Sequence, residues 1–174
     1  LIYSAPDRNH YRIEVARPSG ELIRIIERDY TAYLRTNADK EEFASKIVMM
    51  IDGKRVRIES VVEDRDPCVQ QMRVDDSGCL WVANSHSGRG LPAGVFQRWD
   101  VFDPAGHFDR HVALQLPGDS DEDHLLFLDN SRVLVIKGYS VAVAAARPRH
   151  DADSANQPGA EDAEPLTVVC YRVE

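Results

Sequence analysis

The chain has 174 residues and a net charge of −8, with 43% hydrophobic and 29% charged residues, a balance that suits a globular domain with a real core. The acidic excess argues against a nucleic-acid surface, which needs clustered Lys and Arg, and against docking on anionic membrane. No apolar run approaches the roughly 18 to 20 residues that a membrane-spanning helix requires.

The first strand-like run, Leu-Ile-Tyr-Ser-Ala-Pro, starts at Leu1, so no signal peptide can be read. Tyr11 to Ile26 then reads as strand, Pro18-Ser19-Gly20 turn, strand. Pro presets φ for the first corner of the turn, and Gly two residues later supplies the positive φ that re-enters a strand.

The segment 38–68 has a different character. Asn37 or Asp39 can cap a helix, and Glu41 and Glu42 suit its first turn. Phe43, Ile47, Met50 and Ile51 recur at helical spacing, and Gly53 can end the helix. The spacing predicts one amphipathic helix, laid on its own domain or used to dock a partner, followed by a short strand pair around Arg55 to Val62.

The unit 69–117 holds four strand-like runs. Met72-Arg73-Val74 turns at Asp75-Asp76-Ser77-Gly78 into Leu80-Trp81-Val82-Ala83-Asn84. After a loop, Phe96 to Phe102 turns at Asp103-Pro104-Ala105-Gly106 into Phe108 to Leu114. This second hairpin echoes the one at Tyr11–Ile26, with Val15 falling on Val101, Leu22 on Phe108 and Arg24 on Arg110. The unit 118–174 begins with Leu125 to Leu128 and repeats the first hairpin, with Asp129 aligned to Asp75 and Arg132 to Gly78. The stretch 144–165, rich in Ala, Asp, Glu and Pro, reads as a solvated acidic loop. Thr167 to Val173 supplies one more strand.

Four short antiparallel strands in about 50 residues is the size of one propeller blade, and the last unit repeats part of it. Segments 1–37, 69–117 and 118–174 therefore read as a partial, a full and a final blade of an all-β propeller. Propellers close with typically four to eight blades. The expectation is that further N-terminal blades precede Leu1, and that the three-stranded final blade completes itself with a strand from the start of the ring.

The stretches MRVDDSGCLWVANS and FQRWDVFDPAGHFDRHVAL resemble bacterial six-bladed β-propeller proteins related to NHL-repeat and TolB-like propellers. Val74, Asp75, Gly78, Leu80, Trp81 and Val82 match a V-D-x-x-G-x-L-W-V hairpin. Trp99, Asp100, Val101, Phe102, Asp103 and Gly106 match W-D-V-F-D-x-x-G. The resemblance implies the C-terminal portion of a six-bladed ring, a scaffold character, and a periplasmic or extracellular location. Trp81, Trp99 and Phe102 are then expected to fill space between blades.

Propeller function usually sits in the loops at one face. Those loops hold His10, His86, Arg89 and His124, the candidate ligand-binding residues. The signatures H-E-x-x-H, G-x-S-x-G and G-x-x-x-x-G-K are absent from the sequence. Ser85 and His86 are sequence neighbours, which point to opposite faces of a strand and make no dyad. Asp119 to His124 clusters hard oxygens without the spacing of a calcium loop. His107 and His111 have zinc spacing only on a helix, and they flank a strand. Cys68, Cys79 and Cys170 lack metal spacing and read as reduced, mostly buried thiols.

The expected function is a non-enzymatic propeller scaffold that binds a protein or small-molecule ligand through its loop face, with no cofactor. The alternative is a metal-dependent hydrolase or lactonase with a divalent ion such as calcium in the central channel. Of the inner strands, only Gln70, Gln71 and Asp129 could contribute to such a site.

Overall fold

The computed structural model describes residues 1–46, 48–51, 54–57, 61–146 and 166–172, with side chains at 1–44, 61–143 and 166–172. The chain is all-β in class. The first sheet has the order β1 (Ile2–Ser4), β2 (Arg12–Ala16), β3 (Leu22–Glu27). After α1 (Asn37–Lys46) comes a separate hairpin, β4 (Val48–Ile51) with β5 (Lys54–Arg57). The middle sheet runs β6 (Val69–Val74), β7 (Leu80–Asn84), β8 (Val95–Phe102), β9 (Phe108–Gln115). The third sheet is β10 (His124–Phe127), β11 (Arg132–Lys137), β12 (Thr167–Arg172), with α2 (Tyr139–Ala146) between its last two strands. All pairings are antiparallel.

The echo between the two Pro-x-Gly hairpins is a structural equivalence. Val15 pairs with Arg24, and Val101 with Arg110. Each hairpin then shifts register by one residue, giving Ala16 opposite Leu22 and Phe102 opposite Phe108. The turns close alike: Gly20 N–H donates to the Arg17 carbonyl at 2.9 Å, and Gly106 N–H to the Asp103 carbonyl at 2.8 Å. Gly20 has φ 89° and Gly106 φ 87°, conformations that L side chains rarely adopt.

The third-sheet hairpin departs from its expected alignment. Leu134 and Ile136 align in sequence with Leu80 and Val82, which are buried. In the structure Val133 and Val135 are the fully buried pair, and Leu134 and Ile136 are only partly covered. The cause is the turn. The middle sheet closes through Asp75 N–H to the Cys79 carbonyl, but here Leu128 N–H bonds the Arg132 carbonyl. Without a glycine in the turn, the closure moves one residue toward the N-terminus. A one-residue slip sends every side chain of the strand to the other face.

Two apolar clusters hold the sheets together. Tyr11, Ile13, Val15 and Ile26 of the first sheet meet Leu80, Val82 and Phe102 of the middle one. On its opposite face the middle sheet offers Ala83, Phe96, Trp99 and Leu114 to Val133 and Val135 of the third. The middle sheet is thus covered on both faces, which explains the near-continuous burial along β8. Trp99 and Phe102 fill these gaps, and Trp81 packs on the second cluster with its ring centroid 6.0 Å from that of Phe127. The turn ends are tied in series: Arg24 Nη1 donates to the Pro104 carbonyl at 2.9 Å, and Asp76 N–H to Asn130 Oδ1 at 3.1 Å.

The insertion differs from its expected form. Thr36, not Asn37, caps α1: its Oγ1 accepts from Asp39 N–H at 3.2 Å, while Asp39 Oδ2 accepts from Thr36 N–H at 2.7 Å. The helix ends at Lys46, and Met50 and Ile51 belong to a strand; β-propensity and the partner strand override a spacing that also fits a helix. The strand pair therefore lies earlier than Arg55–Val62. Of the expected apolar stripe, Phe43 is 45% exposed, with the Arg35 guanidinium 4.6 Å from its ring centroid, and Ile47 lies outside the described residues. The expected end at Gly53 falls outside the described residues, as do residues 147–165 of the acidic stretch. Its first residues, Ala144–Ala146, close α2, an apolar helix of good helix formers. Among the described residues no helix is long and apolar enough to cross a membrane. The three cysteines are free, but only Cys68 is buried; Cys170 is exposed on β12.

Candidate ligand-binding cleft

The antiparallel order puts tight turns at one end of the middle sheet and long connections at the other. At this loop end lies a cleft of about 800 Å³. Its wall is built from the stretch after β3 (Tyr33, Asp39, Glu42), the start of β6 (Gln70, Gln71), the 85–90 loop (Ser85, Gly88, Arg89, Gly90) and the 120–125 segment. Phe96 and Gln97 at the start of β8 complete it.

Arg89 organises one side. Its guanidinium carbon lies 4.0 Å from the Tyr33 ring centroid, and its nitrogens reach Asp39 Oδ1 at 3.3 Å and Asp66 Oδ2 at 3.2 Å. Burial works against the Arg89 charge, but Asp66 and Asp39 outweigh it and raise the pKa. Asp66 is itself buried and bonded to Arg35 Nε at 2.7 Å, so the guanidinium pair is fixed from beneath. The Thr36 hydroxyl and N–H hold Asp39 down to a pKa of about 2, with Tyr33 and Arg89 adding to the effect.

On the facing side, Asp123 accepts from Gly138 N–H at 2.8 Å, Asp119 N–H at 3.0 Å and Lys137 Nζ at 3.1 Å. Burial raises its pKa, but those donors outweigh it and the net shift is downward. His124 stacks on Tyr139, with ring centroids 4.7 Å apart. Among the described residues the cleft therefore offers amides, carboxylates, one guanidinium and one imidazole, groups able to donate and accept hydrogen bonds.

Of the four residues read from sequence, Arg89 and His124 line this cleft. His10 sits apart, exposed, with Nδ1 2.8 Å from Asp7 Oδ2. His86 turns away: Nε2 lies 3.1 Å from the Thr31 carbonyl, and the ring meets Tyr30 and Tyr33 edge-on. Its neighbour Ser85 is buried, bonded to Tyr30 Oη at 2.7 Å and Tyr33 N–H at 2.8 Å. Tyr33, Asp39, Glu42 and Gln97 also line the cleft, though the sequence marked Asp39 and Glu42 only as residues of a helix start and Tyr33 and Gln97 not at all. The Thr36-x-x-Asp39 capping pattern was the one local signal for Asp39; the others are brought in by tertiary packing.

Gln70 and Gln71 do face the cleft, whereas Asp129 is held at its hairpin by Arg132 and Ser131. His107 pairs with Asp103 and His111 with Asp100, so the two imidazoles serve different partners. Among the described residues no group of three or more His, Cys, Asp or Glu side chains could hold a metal ion. Comparison with protein-family models, with curated proteins and with solved structures returned no match.

Proposed function

We propose that the chain is part of a β-propeller, with its three sheets as successive blades, and that it works as a binding scaffold whose ligand seats in the loop-end cleft. The carrying observation is convergence. Five chain segments contribute side chains to one cleft of about 800 Å³, at the end of the sheets where connections are long. Sheets of three, four and three antiparallel strands, stacked through two apolar clusters, support the blade reading. Further blades beyond the outer sheets would complete the ring.

The lining sets the ligand chemistry. Asp39, Glu42, Asp121 and Asp123 bring carboxylates, and Gln70, Gln71 and Gln97 bring amides that both donate and accept. Such a wall suits a hydroxyl- or amine-bearing group, on a small molecule or on an exposed protein segment. The test is a calorimetric titration with sugars, polyamines and lysine-containing peptides. At least one class is expected to bind saturably, with Arg89→Ala and His124→Ala each weakening it by about tenfold, the loss of one charge-assisted or buried contact. Binding by none of the three classes, or binding indifferent to both substitutions, would overturn the reading.

A further inference from the structure

A second cavity, of about 270 Å³, lies between the first and middle sheets and is separate from the loop-end cleft. Its lining is Arg28, Tyr30, Asn84, His86, Ser87, Arg98, Asp100 and His111. The register explains why these groups meet. Asp100 on β8 is opposite His111 on β9, and Arg98, two residues earlier, projects from the same face. Asn84 ends β7 on that face as well, two residues after Val82, which pairs with Asp100. Arg28 and Tyr30 come from the chain just after β3 and form the opposite wall.

At the floor is Asp100, whose side chain is 2% exposed. Its Oδ2 accepts from the Tyr11 hydroxyl and from Asn84 Nδ2, both at 2.9 Å, and its Oδ1 lies 2.7 Å from His111 Nδ1. Arg28 Nη1 is 2.8 Å from Oδ2. This carboxylate is saturated, and it fixes the His111 ring: Nδ1–H donates to Asp100, leaving Nε2 directed elsewhere. The His111 side chain is 60% exposed, so the ring is held from below and open from above.

The remaining groups are donors with capacity to spare, although Arg28 pairs with Asp100 and lies over the Phe108 ring, 4.7 Å from its centroid. Arg28 Nη1 is buried, yet none of its N–H bonds is aligned on an acceptor. Arg98 makes no ion pair among the described residues; its side-chain bond is a long one, Nη2 to the Arg89 carbonyl at 3.4 Å. Ser87 Oγ is buried and accepts from Asn84 N–H at 2.8 Å, and its own proton has no acceptor among the described residues. The cavity thus gathers two guanidiniums, two imidazoles, two hydroxyls and an amide around one carboxylate that is already satisfied. In a protein of net charge −8 this is a local reversal of sign.

We propose that this cavity is a small-anion site, taking a phosphate or carboxylate group on Arg98, Arg28 and Ser87, beside the His111 ring. Guanidinium groups bind such oxyanions through paired N–H donors, and a hydroxyl completes the shell. The inter-sheet clamp made by Asp100 serves the site as well, because it presents Arg28 and His111 at fixed positions before any ligand arrives.

The test follows the imidazole resonances of His111 and His86 by NMR at constant pH and ionic strength. Sodium phosphate and sodium acetate are titrated separately against sodium chloride. Saturable shifts of His111 with phosphate, acetate or both support the site, and the anion that saturates names the ligand group. Arg98→Gln is expected to weaken that binding by about tenfold with little change in the thermal midpoint measured in chloride, since the Arg98 side chain makes one long hydrogen bond, to the Arg89 carbonyl, among the described residues. Arg98→Lys keeps the charge but loses the planar fork, and should fall between the two. No saturable shift with either anion, or shifts unchanged in both variants, would overturn the proposal.

Discussion

Asp39 connects the cap of α1 to the wall of the loop-end cleft. One carboxylate oxygen serves Thr36 and Tyr33, and the other faces Arg89. Its folded pKa of about 2 lies below the usual 3.8, so the unfolded chain takes up a proton first as pH falls. The stabilisation is therefore full above about pH 4 and is lost as pH drops through 2. The Thr36 amide resonance should titrate with a midpoint near 2, together with loss of helical signal from α1. Asp39→Asn should abolish that titration; a Thr36 amide midpoint near 3.8 in the unaltered chain would show that the cap is not made in solution. A different kind of buried carboxylate is Asp100, whose four partners come from both sides of a sheet interface. The hairpin motif in the sequence explains its place in a strand. Only tertiary structure reveals the cavity above it, because Arg28 lies 72 positions upstream.

Elements defined by local chemistry were legible in the sequence, and those decided by partners were not. The Pro-x-Gly and Asp-Asp-Ser-Gly turns contain their own cause, in fixed φ at proline and positive φ at glycine. The ends of α1 do not: Met50 and Ile51 satisfy a helical period and a strand period equally. The slip in β11 was hidden for a related reason, since Val133, Leu134, Val135 and Ile136 are all aliphatic and either face can be turned inward. In the loops, His10, His86, Arg89 and His124 were visible as chemistry-bearing residues, but which of them share a cleft depends on how the loops fold back. Glycine in the two equivalent turns gives a test at this scale. A Cβ at Gly20 would meet nothing within 4 Å, whereas at Gly106 it would come within 3.1 Å of Ile26 Cδ1, which belongs to a buried side chain. Gly20→Ala should cost about 1 kcal/mol from backbone strain alone. Gly106→Ala should cost more, with the excess read from urea denaturation midpoints. Equal losses would mean that Ile26 yields freely.

At the scale of the whole molecule, the middle sheet belongs to both apolar clusters, and this predicts coupling. Val15 and Val135 are fully buried in different clusters. Truncating either to Ala should cost about 2 kcal/mol. Both changes should shift one transition, seen equally by far-UV circular dichroism and by the fluorescence of Trp81 and Trp99, which sit at the second cluster. If Val15→Ala split off an early phase invisible to the tryptophans, the first sheet would be an independent unit and the shared-sheet account would fail. The turn-end ties have a further consequence. Arg24 to Pro104 ties the first and middle sheets at the turn end, and Tyr33 N–H to Ser85 Oγ ties them again at the loop end, whereas Asp76 to Asn130 rivets the middle and third sheets at the turn end. A fan riveted at its base keeps its spacing there, so any accommodation of a bulkier guest must be taken up as splay at the opposite rim of the middle and third sheets. The width of the loop-end cleft is then the soft coordinate of this fold, adjustable without unpacking either cluster.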